Sequence, residues 1–368
     1  MAATFPEQAL LERETITALA ITAHGGPEVL GLHQRPLPAP REGFVRVAIK
    51  AVSVNHLDLW VRRGLPHLKH RYPHVLGSDG AGVVLDALGD DSVGPGHPCL
   101  INPGLSCGRC EPCLTGQDNL CAAYGIQGEN RPGIAAQVVS VPRANLLPFP
   151  RGLTWAEAAT LPLTFLTAWQ MLVLKAQLKP GQWVLIQAAG SGVGSAAIQI
   201  AKLFGAQVIA TASTPQKLAQ ARALGADYVI NYKEQPFLDE VRRLTDRRGV
   251  DVVFESVGQS VWADSLKALR WGGALVTCGA TSGFDAQTDL RQVFFRQLQI
   301  LGSTMGPKGA LFEILRHVEA GRLKPTLDRA FPFSQAAAAH DHVEGRAHFG
   351  KVVLYPDGED VTISPLPA

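Results

Sequence analysis

Cys107, Cys110, Cys113 and Cys121 bring four thiols into fifteen positions, spaced Cys-x2-Cys-x2-Cys-x7-Cys among Pro103, Gly104, Gly108, Pro112 and Gly116. The glycines and prolines let the backbone wrap round one point. Four thiolates so spaced suit a tetrahedral zinc with Zn–S of about 2.3 Å. Because sulfur fills all four positions, no place is left for water or substrate, and such a metal is structural. Two disulfides or four reduced thiols are the alternatives, and crowding within one short segment favours the metal over a secreted disulfide framework. Cys99 and Cys278 stand alone.

A second pattern is Gln187-Ala188-Ala189-Gly190-Ser191-Gly192-Val193-Gly194, between an apolar strand-like run and a helical one. A glycine-rich run alone serves many turns. Inside a strand-helix-strand unit, Gly190, Ser191, Gly192, Val193 and Gly194 let a pyrophosphate approach backbone amides at a helix N-terminus, where the dipole favours negative charge. The next strand ends Ala210-Thr211-Ala212-Ser213, without the Asp or Glu that bonds the ribose hydroxyls of NAD. A carboxylate there would repel a 2′-phosphate, whereas Ser213 can donate a hydrogen bond and Lys217 brings a cation. NADP(H) is therefore the expected cofactor; the plain alternative for Lys217 is a solvated helix charge.

The elements that must carry these residues read as an α/β chain. Its 368 residues suggest two domains, and 46% hydrophobic against 18% charged content is too apolar for disorder. With 37 Gly and 25 Pro the chain is too rich in turn formers to be all helical. A net charge of +2 and no dense Lys/Arg cluster argue against nucleic-acid or anionic-membrane partners. No apolar run approaches the roughly 18 residues that span a bilayer. The beginning of the chain carries Glu7, Glu12 and Glu14 where a leader would be basic, so a soluble, cytoplasmic protein is expected.

Residues 1–17 form an extension of undetermined structure. From Ala18 to about Pro150, short β-like runs (Phe44–Val54, Ala81–Leu85, Ala135–Val141) alternate with Gly/Pro-rich connections. Thr154 to Glu157 is a capping box opening a helical region that Pro162 must interrupt. Trp183–Gln187, Ser195–Phe204, Val208–Ala212 and Pro215–Leu224 then alternate strand and helix, the mark of a doubly wound parallel sheet. Tyr228–Ile230, Val250–Glu255, Ala274–Cys278 and Leu298–Leu301 supply further strands, with Trp262–Leu269 and Leu311–Ala320 as covering helices. Ser334 is placed to cap an alanine-rich helix, Lys351–Tyr355 reads as a last strand, and Pro356–Ala368 as a frayed tail. The expected division is 18–155 with 321–368 in one domain and 156–320 in the other.

Together these residues resemble the medium-chain dehydrogenase/reductase superfamily over about residues 18 to 355. The four-cysteine spacing is similar to the structural-zinc lobe of zinc-containing alcohol dehydrogenases. Val54-Asn55-His56-Leu57-Asp58, Ala188 to Gly194, Ile230-Asn231-Tyr232, Glu255-Ser256-Val257-Gly258 and Cys278 to Gly283 resemble the quinone oxidoreductase branch. The resemblance implies a GroES-like β-rich catalytic domain built from both chain ends, a Rossmann domain inserted between, and a homodimer or homotetramer. It implies that Tyr232 joins Ser213 and Lys217 around the 2′-phosphate, with Val257 in the same cofactor-binding set. Thr167, Cys278, Gly279, Ala280 and the Leu301 to Ser303 backbone are implied near nicotinamide, and Lys351 at the pyrophosphate.

The departure from the family concerns its catalytic zinc. In the alcohol dehydrogenases a Cys, a Gly-His-Glu motif and a later Cys or acid surround that metal; here the corresponding residues are Asn55 and Gly77-Ser78-Asp79, and no cysteine lies between Cys121 and Cys278. A rebuilt site from His56, Asp58, Asp79 or one of His67, His70 and His74 is the alternative. Without a Lewis acid, reducing a simple ketone makes an alkoxide whose conjugate acid is about as weak as water, near pKa 15.7. A quinone gives a phenolate, near pKa 10, and an α,β-unsaturated carbonyl a delocalised enolate. The expected activity is NADPH-dependent hydride transfer to a small-molecule quinone or unsaturated carbonyl. Asn55 is the expected donor to substrate oxygen, His56 the proton source and Asp58 an orienting partner. Competing readings are a zinc-dependent alcohol dehydrogenase with an altered site and a nonenzymatic NADPH-binding protein.

Overall fold

The computed structural model describes residues 5–65, 68–87 and 94–366. They form two compact units: the chain up to Leu163 with Leu311–Glu319 and Leu327 onward, and Thr164–Ala310 with Ala320–Thr326. The first unit thus runs past the expected limit at 155. It also takes in the extension, and Leu311–Glu319, which the sequence pattern assigned to the parallel sheet.

In the first unit Phe44–Val54 is the organising strand. Only Phe44 and Lys50 escape full burial, because both faces are covered. It pairs with Gly80–Ala87, Val138–Pro142 and Lys351–Tyr355. The antiparallel register Val352↔Val54 sets Lys351 across from Asn55, so the two ends of the chain meet at that point. From Phe5 on the extension is ordered: Pro6–Glu12 is a 3₁₀ turn, Leu10 and Leu11 pack on the core, and Glu7 pairs with Lys50 at 2.8 Å.

Over residues 356–366 the tail does not fray. Glu359 reaches Lys50 at 2.5 Å, Val361 is buried, and the amides of Gly152, Trp155 and Ala156 donate to the carbonyls of Leu366, Ile363 and Val361. Those amides precede or open the helix Trp155–Ala159, where the first N–H groups lack helical acceptors. The tail supplies them. Nor does Ser334 cap a helix: it bonds Asp357, and Ala336–Glu344 starts after the 3₁₀ turn Phe333–Gln335 without a side-chain cap. The Thr154–Glu157 capping box forms as expected, and the helix breaks before Leu161–Trp169, which carries Pro162 in its first turn.

The second unit holds a six-stranded parallel sheet in the order Tyr228–Asn231, Gln207–Ala212, Trp183–Ile186, Val250–Glu255, Leu269–Thr277, Gln299–Gly302. Chain order reverses between Trp183–Ile186 and Val250–Glu255. That reversal opens a crevice at the C-terminal strand ends, where ligands of doubly wound sheets bind.

Candidate functional site

The four cysteines converge. Pairing of Gly104–Leu105 with Gly125–Ile126 closes the loop, and Gly108 (φ +72°) and Gly116 (φ +76°) take left-handed turns that a side chain would strain. One ligand atom from each thiol lies within 4.8 Å of the others. Cys107 and Cys113 sulfurs are 3.9 Å apart and those of Cys110 and Cys113 3.5 Å. These separations exceed a disulfide bond of about 2.05 Å and match the edge of a sulfur tetrahedron around zinc. All six cysteines are free thiols. Backbone N–H groups of Arg109 and Cys110 lower the Cys107 thiol to about 6, towards the thiolate a metal requires. The donor set fits a structural zinc.

In the second unit the glycine turn is rigid. Thr211 Oγ1 donates to Gln187 Oε1 (2.8 Å) and accepts from the Ala188 amide (3.2 Å), tying the turn to the neighbouring strand. Ser191 caps the helix Gly192–Leu203 by accepting from the Gly194 amide. A Cβ on Gly194 would lie 2.4 Å from the Ala188 carbonyl oxygen, so only glycine lets helix and turn approach this closely. Ser213 follows the second strand, Thr214 caps the helix carrying Lys217, and the Tyr232 amide donates to the Ala212 carbonyl. Ser213, Lys217 and Tyr232 therefore cluster at one strand end.

Val257, Cys278, Gly279, Ala280, Leu301 and Ser303 lie at the same rim, on adjoining strand ends in register Val276↔Leu301 and Thr277↔Gly302. Thr167 Oγ1 faces Met305 Sδ. Glu255 organises this rim: its carboxylate accepts from the Val257 and Gly258 amides and from Thr277 Oγ1, and burial raises its pKa. Burial pushes the Cys278 thiol up to about 12, so it is no nucleophile.

The first unit holds the remaining candidates, and several sequence expectations are corrected there. Asn55 Nδ2 donates to Asp79 Oδ1 (2.9 Å) and to the Ser53 carbonyl (3.3 Å), while its Oδ1 accepts from Lys351 Nζ at 2.6 Å. Both amide hydrogens are engaged, so Asn55 has none free for a substrate oxygen. Lys351 is buried and also donates to the Val54 carbonyl at 2.5 Å; it is not a loose cation reaching for a pyrophosphate. Asp58 orients, but its partners are the amides of Asn55 (2.7 Å) and Gly77 (2.9 Å) and not His56. Burial pushes its carboxyl up to about 6. His56 opens the helix His56–Arg63, and burial followed by the charges of Lys351, Arg346 and Arg63 lowers it to about 4. It is neutral at pH 7, a hydrogen-bonding group and not a ready acid.

No second metal cage forms among the described residues: the cysteine set is the only group of three or more His, Cys, Asp or Glu side chains close enough to hold an ion. Asp79 is spent on Ser53 Oγ (2.6 Å), Asn55 and the Leu163 amide (2.8 Å). His70 and His74 bond the carbonyls of Glu129 and Gly128, and His67 lies outside the described residues. The residues at the family's catalytic-zinc positions do not fit that metal.

Sequence reasoning missed the roles of Ser53, Glu255 and Lys351 here. It also missed the buried Arg62, which donates to His340 Nδ1 and Glu344. A cavity of about 10 Å³, room for one water, is lined by Ser53, Asp58, Gly77 and His340 among others.

Residues 41–151 match the alcohol dehydrogenase GroES-like domain and residues 192–320 the zinc-binding dehydrogenase domain. A solved NAD-dependent alcohol dehydrogenase superposes with a TM-score of 0.88 at 52% identity, covering 92% of this chain and 99% of that one. A 2-haloacrylate reductase of Burkholderia sp is 32% identical across 93% of this chain and 99% of its own. The quinone oxidoreductase of Homo sapiens is 25% identical across 93% and 98%. The two domain matches and these full-length likenesses show that the chain belongs to the zinc-type medium-chain dehydrogenase/reductase superfamily, as an NAD(P)-dependent oxidoreductase.

Proposed function

We propose that the protein is an NADPH-dependent reductase of quinones or α,β-unsaturated carbonyls, carrying one structural zinc and no zinc at its reaction site. The observation behind this is the hydrogen-bonded knot of Asn55, Asp79, Ser53 and Lys351, which consumes Asn55 and Asp79, while a serine, Ser78, stands where the family has an imidazole. NADPH, when bound, supplies the hydride. Where the acceptor is an enone, hydride addition at the β-carbon moves the π pair onto oxygen, and the resulting enolate takes its proton from solvent at the α-carbon. A neutral His56 N–H suffices to hydrogen-bond such a delocalised oxyanion, as it would not for an alkoxide. The named activity of the 2-haloacrylate reductase, reduction of an activated double bond, supports this substrate class.

The missing acid after the second strand, with Ser213, Lys217 and Tyr232 gathered there, supports NADPH over NADH. The free cysteines of the zinc lobe fit a reducing, cytoplasmic setting. The unpaired edge strand Gln299–Gly302, beside the exposed Trp271, Phe294 and Phe295, supports a homodimer or homotetramer.

The 52% identical alcohol dehydrogenase favours a second reading, a zinc-dependent alcohol dehydrogenase with a modified site. Zinc analysis of freshly purified protein separates the two. One zinc per chain, with NADPH-dependent turnover of a quinone or enone, is the expected result. Two zincs, one of them lost together with activity on chelation, would overturn it.

A further inference from the structure

Lys351 is a lysine with almost no water around it. Its Nζ donates to Val54 O (2.5 Å) and Asn55 Oδ1 (2.6 Å); burial lowers its pKa, and the charges of Asp79 and then Asp58 work against that lowering and favour the ammonium. A buried, uncompensated ammonium is costly, and one bonded to a carbonyl and a carboxamide oxygen, with two carboxylates acting on it from further off, is retained at lower cost. The consequence lies in the amide of Asn55. A carboxamide has two ends, and a cation at Oδ1 turns Nδ2 towards Asp79 and Ser53. Asp58 meanwhile fixes the Asn55 backbone, so both the main chain and the side chain of the residue before His56 are immobilised.

We propose that Lys351 is the positioning residue of the reaction site: a built-in cation that orients the Asn55 carboxamide and offsets Asp58 and Asp79, in the charge role a metal fills elsewhere in the superfamily. This rests on the metal-independent reading above. The hydrogen bonds of Lys351 go to Val54 O and Asn55 Oδ1, so it acts through Asn55. The charged and titratable groups facing the assembly are Asp58, Asp79 and His56, with His340 lining the same small cavity as Asp58 and with Arg346 and Arg63 the further cations acting on His56.

The test uses zinc-loaded full-length Lys351→Met, with Lys351→Gln as a second variant that keeps a hydrogen-bonding end without charge; either reads the same quantities should the other not fold. NADPH Kd by fluorescence titration should stay within about twofold of wild type, while kcat falls at least about tenfold. With the cation gone, buried Asp58 binds its proton more readily, so the acid limb of kcat should move up by about one pH unit. The deficit in urea midpoint relative to wild type should be wider at pH 8, where Asp58 is charged, than at pH 5. A tenfold rise in NADPH Kd would make Lys351 a cofactor ligand and overturn the proposal, as would an unmoved acid limb with a pH-independent deficit. The Kd and urea arms need no turnover. Failure of the wild type to reduce any quinone or enone would therefore sink the functional reading and leave these arms to judge Lys351.

Discussion

Replacing Asp58 with Asn should move relative stability in the variant's favour as pH rises from 4.5 to 8, and lower activity. Asp58 accepts two backbone amides, at 2.7 and 2.9 Å, yet burial outweighs them and lifts its carboxyl from an ordinary 3.8 to about 6. A carboxyl raised on folding contributes stability that is fully present below about 3.8 and is lost as pH rises through about 6. At 1.36 kcal/mol per pH unit, keeping Asp58 ionised costs the folded state about 3 kcal/mol well above pH 6. Asn mimics the neutral acid, one acceptor and one donor, and does not titrate. Urea denaturation of both proteins from pH 4.5 to 8 should therefore show a stability difference that grows by about 2 kcal/mol in favour of Asp58→Asn, centred between pH 4.5 and 6.5. The activity loss follows because the two amides need an acceptor each, and Asn offers one. Two pH–stability curves running parallel would refute the argument, since the carboxylate would then be no liability.

Lys217→Ala should weaken NADPH binding by about 1.5–3 kcal/mol, the range for a charged hydrogen bond, and leave NADH nearly unchanged; equal losses by fluorescence titration would remove Lys217 from the 2′-phosphate site. Deleting residues 356–368 takes away the Glu359–Lys50 pair, two backbone acceptors at the start of the helix Trp155–Ala159 and a third at Gly152 before it, so calorimetry should show a clear fall in Tm, with about 2–5 kcal/mol lost. An unchanged Tm would restore the frayed tail. Trp271→Glu puts a charge into an exposed aromatic pair, 5.3 Å from Phe295, and should shift the protein towards monomer in analytical ultracentrifugation; an unaltered mass would place the interface elsewhere.

What was legible in the sequence is what short range decides. The strand Phe44–Val54, the parallel strands, the Thr154–Glu157 box and the four-cysteine lobe each depend on residues close in the chain, and each forms where the pattern put it. The tail was not legible. Its sequence is polar and proline-rich, and its order comes from amides near residue 155 that lack acceptors until the folded chain brings the tail to them. The Ser334 cap failed for a related reason: Asp357, 23 positions away, competes for the same hydroxyl.

The reaction site divides along the same line. That Asn55 and Ser78 stand where a metal would need a thiolate and an imidazole can be read from the residues alone, and so can the weakness of a zinc site rebuilt there. What occupies the charge role cannot. Lys351 lies 296 positions from Asn55, in a strand whose sequence says only that it is apolar, and the register Val352↔Val54 alone brings them together. Losing a cation from a reaction site and supplying one from elsewhere look identical in a linear pattern, because a lysine before an apolar run is ordinary. The two differ in chemistry. A zinc ion polarises a substrate oxygen directly, whereas an ammonium held by Asn55 acts only through the groups it orients; on the function proposed above, the acceptor therefore delocalises its own charge, and chelators should leave this site, unlike the cysteine lobe, untouched.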